Sequence, residues 1–216
     1  MGDSSQDEEP DSSKNTLGER ISEYFEGVET YFKVTRAQKI LRRYFAMNAF
    51  DGAMTSLGVV IGAYISNIVN PAAVIGVIIV GGVAMAISGF SGTYLTESAE
   101  RNHSLNELEE AMLVNLEDTI FGRASRFVSI FAAVVDGSAP FFASLPSVAP
   151  FYLAFVGFLP IELAFYASIG ASLTTLFLLG MYLGRVSEGN VIYSGIKMVI
   201  AGVAVALLAL LLNGNH

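Results

Sequence analysis

The chain of 216 residues has no cysteine, no tryptophan and only two histidines. Without cysteine there is no disulfide, no thiolate metal site and no cysteine nucleophile. Without tryptophan, any aromatic belt at a membrane–water interface falls to tyrosine and phenylalanine. His103 and His216 both lie outside the apolar runs, which excludes a histidine metal cage within a membrane. Charge is also scarce. Only 15% of residues are charged, against roughly 25% in a typical soluble domain. Hydrophobic residues make up 53% and the mean hydropathy is +0.55. Polar surface is too small for a soluble domain of this length, so the surplus apolar residues are expected to face lipid.

The net charge of −8 is unevenly placed. The opening "MGDSSQDEEPDSSKN" is acidic and serine-rich, and predicts a disordered tail over residues 1–16. It lacks the basic start and apolar core of a signal peptide, so the first apolar span is expected to stay in the mature protein. From Leu17 to Arg43, Leu17, Ile21, Tyr24, Val28 and Tyr31 recur at helical spacing. This predicts an amphipathic helix on the cytosolic membrane face, with its basic end "KVTRAQKILRR" against anionic headgroups. Packing on a soluble part of the same protein is the alternative.

Runs of about 20 mostly apolar residues span a bilayer. They predict five transmembrane helices: Ala46–Val69, Ala72–Leu95, Phe127–Leu145, Pro160–Leu183 and Val191–Leu212. Val148–Leu159 is too short for a further span and is expected to continue the third or fourth, with Pro146, Pro150 and Pro160 marking breaks. Cations alternate across these spans. Seven Lys or Arg precede the first, Arg101, Arg123 and Arg126 lie between the second and third, and Arg185 lies between the fourth and fifth. The connections after the first and third spans carry none. The positive-inside rule then places the N-terminus in the cytosol and the C-terminus outside. The expected class is an all-α integral membrane protein, of a prokaryotic cytoplasmic membrane or a eukaryotic organelle membrane. No nucleic-acid partner is expected.

Small residues are dense on the spans. Gly58-x-x-x-Gly62, "GGVAMAISGFSG" (Gly81–Gly92) and Gly180-x-x-x-Gly184 allow helix backbones to approach closely, within one chain or between two.

Three acids sit in apolar sequence: Asp51, Asp136 and Glu162. An aspartate at a helix centre costs about 2.5–3.5 kcal/mol on insertion scales, so such residues usually face a cavity and mark an ion or proton path. Asp51 and Asp136 each precede a glycine, and a turn or helix break is the competing reading. Asp136 is open between a second ligand, a proton site and a turn. Glu162 follows Pro160 and reads as an acid favoured by the helix dipole at the outer interface. Helical spacing puts Asp51, Thr55, Gly58 and Gly62 on one stripe. Two copies meeting along it would bring two carboxylates together, and a divalent cation would offset their repulsion.

The segment "ESAERNHSLNELEEAMLVNLEDTIFGR" (Glu97–Arg123) is acidic. Ser104 with Glu107 predicts a capping box, and Glu97/Glu100 and Glu107/Glu110 are i,i+3 pairs that share a helix face. With Met112 and Glu117 they offer oxygen and thioether ligands for divalent cations; a solvated acidic helix is the alternative.

"NAFDGAMTSLGVVIGA" followed by "SGFSGTYLTESAE" resembles the first two spans of the vacuolar iron transporter family. "DGSAPFFASLP" is similar to its third, and "LTTLFLLGMYLGRVSEGNVIYSGIKMVIAGVAVALL" to its last two. The resemblance covers about Arg43 to Leu212. It implies a homodimer that moves Fe²⁺, and often Mn²⁺, out of the cytosol in exchange for protons. Metal would be the transported substrate, with no tightly bound cofactor and no enzymatic activity. The family aspartate that lines the path matches Asp51, and Glu97, Glu100, Glu107, Glu110, Glu117 and Met112 are candidates for its metal-collecting loop. Where members carry Ser-Met and Gly-Glu late in the second span, this chain has Ser88-Gly89 and Gly92-Thr93. Met85, one turn earlier, is the available substitute, and Asp136 is an extra acid. Two other readings stand beside transport: a membrane partner that keeps the fold without transporting, and an intramembrane aspartyl protease built on the two Asp-Gly spans.

Overall fold

The computed structural model describes residues 37–116 and 119–213. Most of the expected amphipathic helix, the acidic tail and Glu117 lie outside the described residues. All regular structure among the described residues is helical: α1 (Ala37–Ile65), α2 (Pro71–Met112), α3 (Ile120–Phe155), α4 (Ile161–Val186) and α5 (Val191–Asn213). All five are long and apolar enough to cross a membrane.

The bounds differ from the expected ones in three places. Residues 37–43 run unbroken into α1. The second span and the acidic segment as far as Met112 form one helix of 42 residues, about 63 Å long at 1.5 Å per residue. Ser104 and Glu107 therefore lie inside α2, and the expected capping box starts no helix. The short stretch from Val148 continues α3, which runs 36 residues through Pro140, Pro146 and Pro150 without a break. Serine–backbone bonds run alongside, Ser138 to Val135 O and Ser144 to Phe141 O.

Helix ends follow from local chemistry. Asn70 caps α2, its side chain accepting from the Ala72 N–H at 3.0 Å, with Pro71 in the first turn, where a missing N–H costs nothing. Asn190 accepts from the Tyr193 N–H at the start of α5. Four C-termini close alike. Asn67, Leu113, Gly157 and Glu188 take positive φ. The next N–H then reaches five residues back: Ile68 to Ala63, Val114 to Glu109, Phe158 to Leu153 and Gly189 to Gly184. This is the Schellman closure. Only one of the four is glycine.

α3 packs against α1, α2 and α4, and α1 against α3, α4 and α5. The core between them is small-residued: Ala49, Ala53, Ala132, Ala133, Ala139 and Ala164 are at most 1% exposed. Larger side chains (Leu57, Val60, Leu176 and Phe151) fill the gaps. α2 and α5 turn most of their apolar residues outward.

Candidate functional site

The geometry turns on two neighbouring stripes of α1. Tyr44, Asn48, Gly52 and Ser56, spaced by four, face the other helices, and each has a partner. The Tyr44 hydroxyl donates to Glu97 Oε1 at 2.8 Å. Asn48 Nδ2 donates to Asp136 Oδ1. Gly52 lies on Pro140 so closely that a Cβ there would sit 2.2 Å from the Pro140 carbonyl oxygen. Ser56 and Ser147 share a hydrogen bond of 3.0 Å. The adjoining stripe (Asp51, Thr55, Gly58 and Gly62) is uncovered. Asp51 and Thr55 are exposed, and a Cβ on Gly58 or Gly62 would meet nothing within 4 Å.

Asp136 is 3% exposed. Besides Asn48 it is held by Thr93, whose hydroxyl donates to Oδ2 at 2.5 Å. Its surroundings depend on close backbone packing. A Cβ on Gly137 would lie 2.6 Å from Ala86 O, and one on Gly89 3.2 Å from Gly137 Cα and 3.4 Å from Asp136 Oδ2. Gly89 and Thr93, both on α2, thus meet Asp136. Asp51 lies within electrostatic reach of Asp136, though no hydrogen bond joins them.

Both Asp-Gly pairs thus lie inside unbroken helices, and neither is a turn. Their glycines admit a neighbouring backbone: Pro140 at Gly52, and Ala86 and Phe90 at Gly137.

The remaining predicted residues separate. Met85 is half-buried and shares with Thr55 a cavity of about 100 Å³ between α1 and α2, one turn from Asp51. Glu97 is 5% exposed and is bound to Tyr44 and to Arg101 Nε at 2.9 Å. Glu100 is exposed, so this expected pair is divided, although both line a cavity of about 300 Å³ with Arg101. Glu107 and Glu110 are exposed on the far part of α2, where Glu107 pairs with His103 at 3.4 Å. Met112 is exposed, and Glu162 is exposed in the first turn of α4. Among the described residues, no three His, Asp or Glu side chains come together as a metal cluster. The predicted acids therefore do not form one centre within a single chain.

Asn48, Thr93, Tyr44 and Arg101 escaped the sequence reading as site residues. Asn48 left a signal, a carboxamide one turn before Asp51 in an otherwise apolar run.

A buried serine thread extends the polar interior. Ser147 bonds Ser56 and also Ser172, at 2.7 Å, and the Ser168 hydroxyl donates to the Ser147 carbonyl at 2.6 Å. These bonds tie α1, α3 and α4 where alanines leave little apolar area to bury.

Among the described residues, fold and site together define five helices of transmembrane length around a buried Asp–Asn–Thr centre. The chain is 32% identical over 175 residues to Uncharacterized protein MJ0645 of Methanocaldococcus jannaschii, covering 79% of this chain and 87% of the relative. It belongs to the same family as that archaeal protein. No protein-family model matches the chain, and no solved structure matches it.

Proposed function

We propose that the chain is a multi-pass membrane protein that exports a divalent metal cation of the Fe²⁺/Mn²⁺ class from the cytosol by antiport, through the interface of a homodimer. One observation carries this reading: the uncovered α1 stripe with Asp51 at its head. An aspartate facing lipid at mid-helix costs about 2.5–3.5 kcal/mol. Asp51 makes no hydrogen bond or ion pair with the described residues. A second copy laid along Thr55, Gly58 and Gly62 removes the carboxylate from lipid, and the glycines permit the backbones to meet. Two Asp51 carboxylates then face each other, and a divalent cation balances them; Met85, which shares a cavity with Thr55, offers a thioether that would favour a softer metal over Mg²⁺ or Ca²⁺. The alternation of cations places the start of α1 on the cytosolic side. Asp51, eight residues past Arg43, is then about 12 Å inside that boundary, within reach of metal from the cytosol. The resemblance of the spans to vacuolar iron transporters supports the same reading.

The test is metal flux in proteoliposomes with Fe²⁺ under reducing conditions and with Mn²⁺. Wild-type protein moves metal and Asp51→Asn does not; wild-type flux in that variant refutes the mechanism. The absence of a three-acid cluster among the described residues favours one competitor, a partner protein that keeps the fold without transporting. Calorimetry that detects no binding of either metal to the wild-type protein would select it.

A further inference from the structure

Asp136 has an environment that the metal reading does not use. Three helices bring Asn48, Thr93 and Asp136 together, and each carboxyl oxygen accepts one hydrogen bond from a neutral donor. The charged and titratable groups around it come from two neighbouring helices. On α1 they are Asp51, a second carboxyl group, and Tyr44, whose hydroxyl donates to Glu97. On α2, Glu97 lies one turn beyond Thr93 and pairs with Arg101 at 2.9 Å. Among the described residues, no cation pairs with Asp136. A buried carboxylate with only neutral partners is costly to keep ionised. Gly89 places no side chain on the Oδ2 side, where a Cβ would stand 3.4 Å away. The centre therefore offers one negative charge and hard oxygen ligands: the carboxylate, Thr93 Oγ1 and, after a half-turn of the amide, Asn48 Oδ1. That set matches a single positive charge.

We propose that Asn48, Thr93 and Asp136 form a binding site for one univalent cation, H⁺ or Na⁺, separate from the divalent-metal position at Asp51. The further step, that this ion is the one exchanged against metal, rests on the transport reading above. Asp51 and Asp136 lie within electrostatic reach, so a cation at either site disfavours one at the other, and the effect is reciprocal.

Two measurements on the full chain test it. The first needs no transport: the thermal unfolding midpoint in detergent, across NaCl with choline chloride holding ionic strength, and across pH. With Na⁺ as occupant, the wild-type midpoint rises with Na⁺ at fixed pH. With H⁺ as occupant, it rises on acidification without a Na⁺ response. Asp136→Asn loses the response, and Thr93→Val, which keeps the carboxylate, weakens it. A wild-type protein indifferent to both ions, or an Asp136→Asn variant that responds as wild type does, overturns the site. The second is Mn²⁺ calorimetry. The occupant that stabilises the wild-type protein weakens its Mn²⁺ affinity by about fivefold or more, and Asp136→Asn abolishes this antagonism. If Asp136→Asn instead abolishes Mn²⁺ binding as Asp51→Asn does, Asp136 is a metal ligand and the proposal falls. A wild-type protein with the thermal response and no binding of Mn²⁺ or, under reducing conditions, of Fe²⁺ keeps the univalent site and refutes the transport reading alone.

Discussion

Gly52→Ala tests how the polar interior is assembled. The added Cβ would stand 2.2, 2.5 and 2.7 Å from the O, Cα and C atoms of Pro140. Ordinary contact begins at 3.4 Å, so relief demands a displacement of about 1 Å. All three obstacles are helix backbone, so no rotamer change helps, and α1 and α3 must separate. That stretches the cross-helix bonds on either side of Gly52. The Ser56–Ser147 bond of 3.0 Å would lengthen to about 4 Å, beyond hydrogen-bond range, and the Asn48–Asp136 bond would loosen. Two such bonds are worth roughly 0.6–1 kcal/mol each. The overpacking itself costs about 1–3 kcal/mol. Helix propensity returns up to about 1 kcal/mol for exchanging glycine for alanine. The net destabilisation is about 1–5 kcal/mol. Denaturation in mixed micelles measures it, with Gly170→Ala as control, because nothing lies within 4 Å of a Cβ there. The control should match wild type or exceed it by up to about 1 kcal/mol. A Gly52→Ala variant within about 0.5 kcal/mol of wild type, or equal losses in both, would refute the close approach of α1 to α3.

Three further perturbations probe other parts of the structure. Glu97→Gln leaves Arg101 half of a buried pair and should cost about 3 kcal/mol, while Tyr44→Phe removes one hydrogen bond and should cost about 1 kcal/mol; denaturant titration that ranks them in reverse would contradict the network at Glu97. Ser147→Ala cuts the hydroxyl bonds to Ser56 and Ser172 and should cost about 1 kcal/mol in mixed micelles, whereas Thr174→Ala on the exposed face of α4 should cost less. Because the chain has no cysteine, Thr55→Cys gives a single thiol on the uncovered stripe. On the proposed dimer it should crosslink between copies in membranes, and adding Gly58→Leu should suppress that; crosslinking indifferent to Gly58→Leu would remove this stripe from the proposed interface.

Hydropathy anticipates the five long apolar helices found among the described residues, because the cost of exposing apolar side chains to water is written residue by residue. It does not fix helix length. The acidic residues after Leu95 end an apolar run without ending a helix, since Glu, Leu and Ala are good helix formers whatever their polarity. The same logic hid the path of α3 through its prolines. Each proline removes one donor, and the neighbouring helices hold the rest in place.

The site divided along similar lines. Sequence alone identified Asp51, its stripe with Thr55, Gly58 and Gly62, and the unusual acid at Asp136, because polar groups in apolar runs are visible without any partner. It could not say which polar stripe of α1 faces inward. Tyr44, Asn48, Gly52 and Ser56 lie one residue from the Asp51 stripe, about 100° around the helix, and both carry polar and small residues. Tertiary structure decided the phase. The partners of the inner stripe lie 53, 88 and 91 residues away at Glu97, Asp136 and Ser147, and a buried polar group is stable only where such a partner meets it. That requirement turns Asn48 toward Asp136 and leaves Asp51 on the open face.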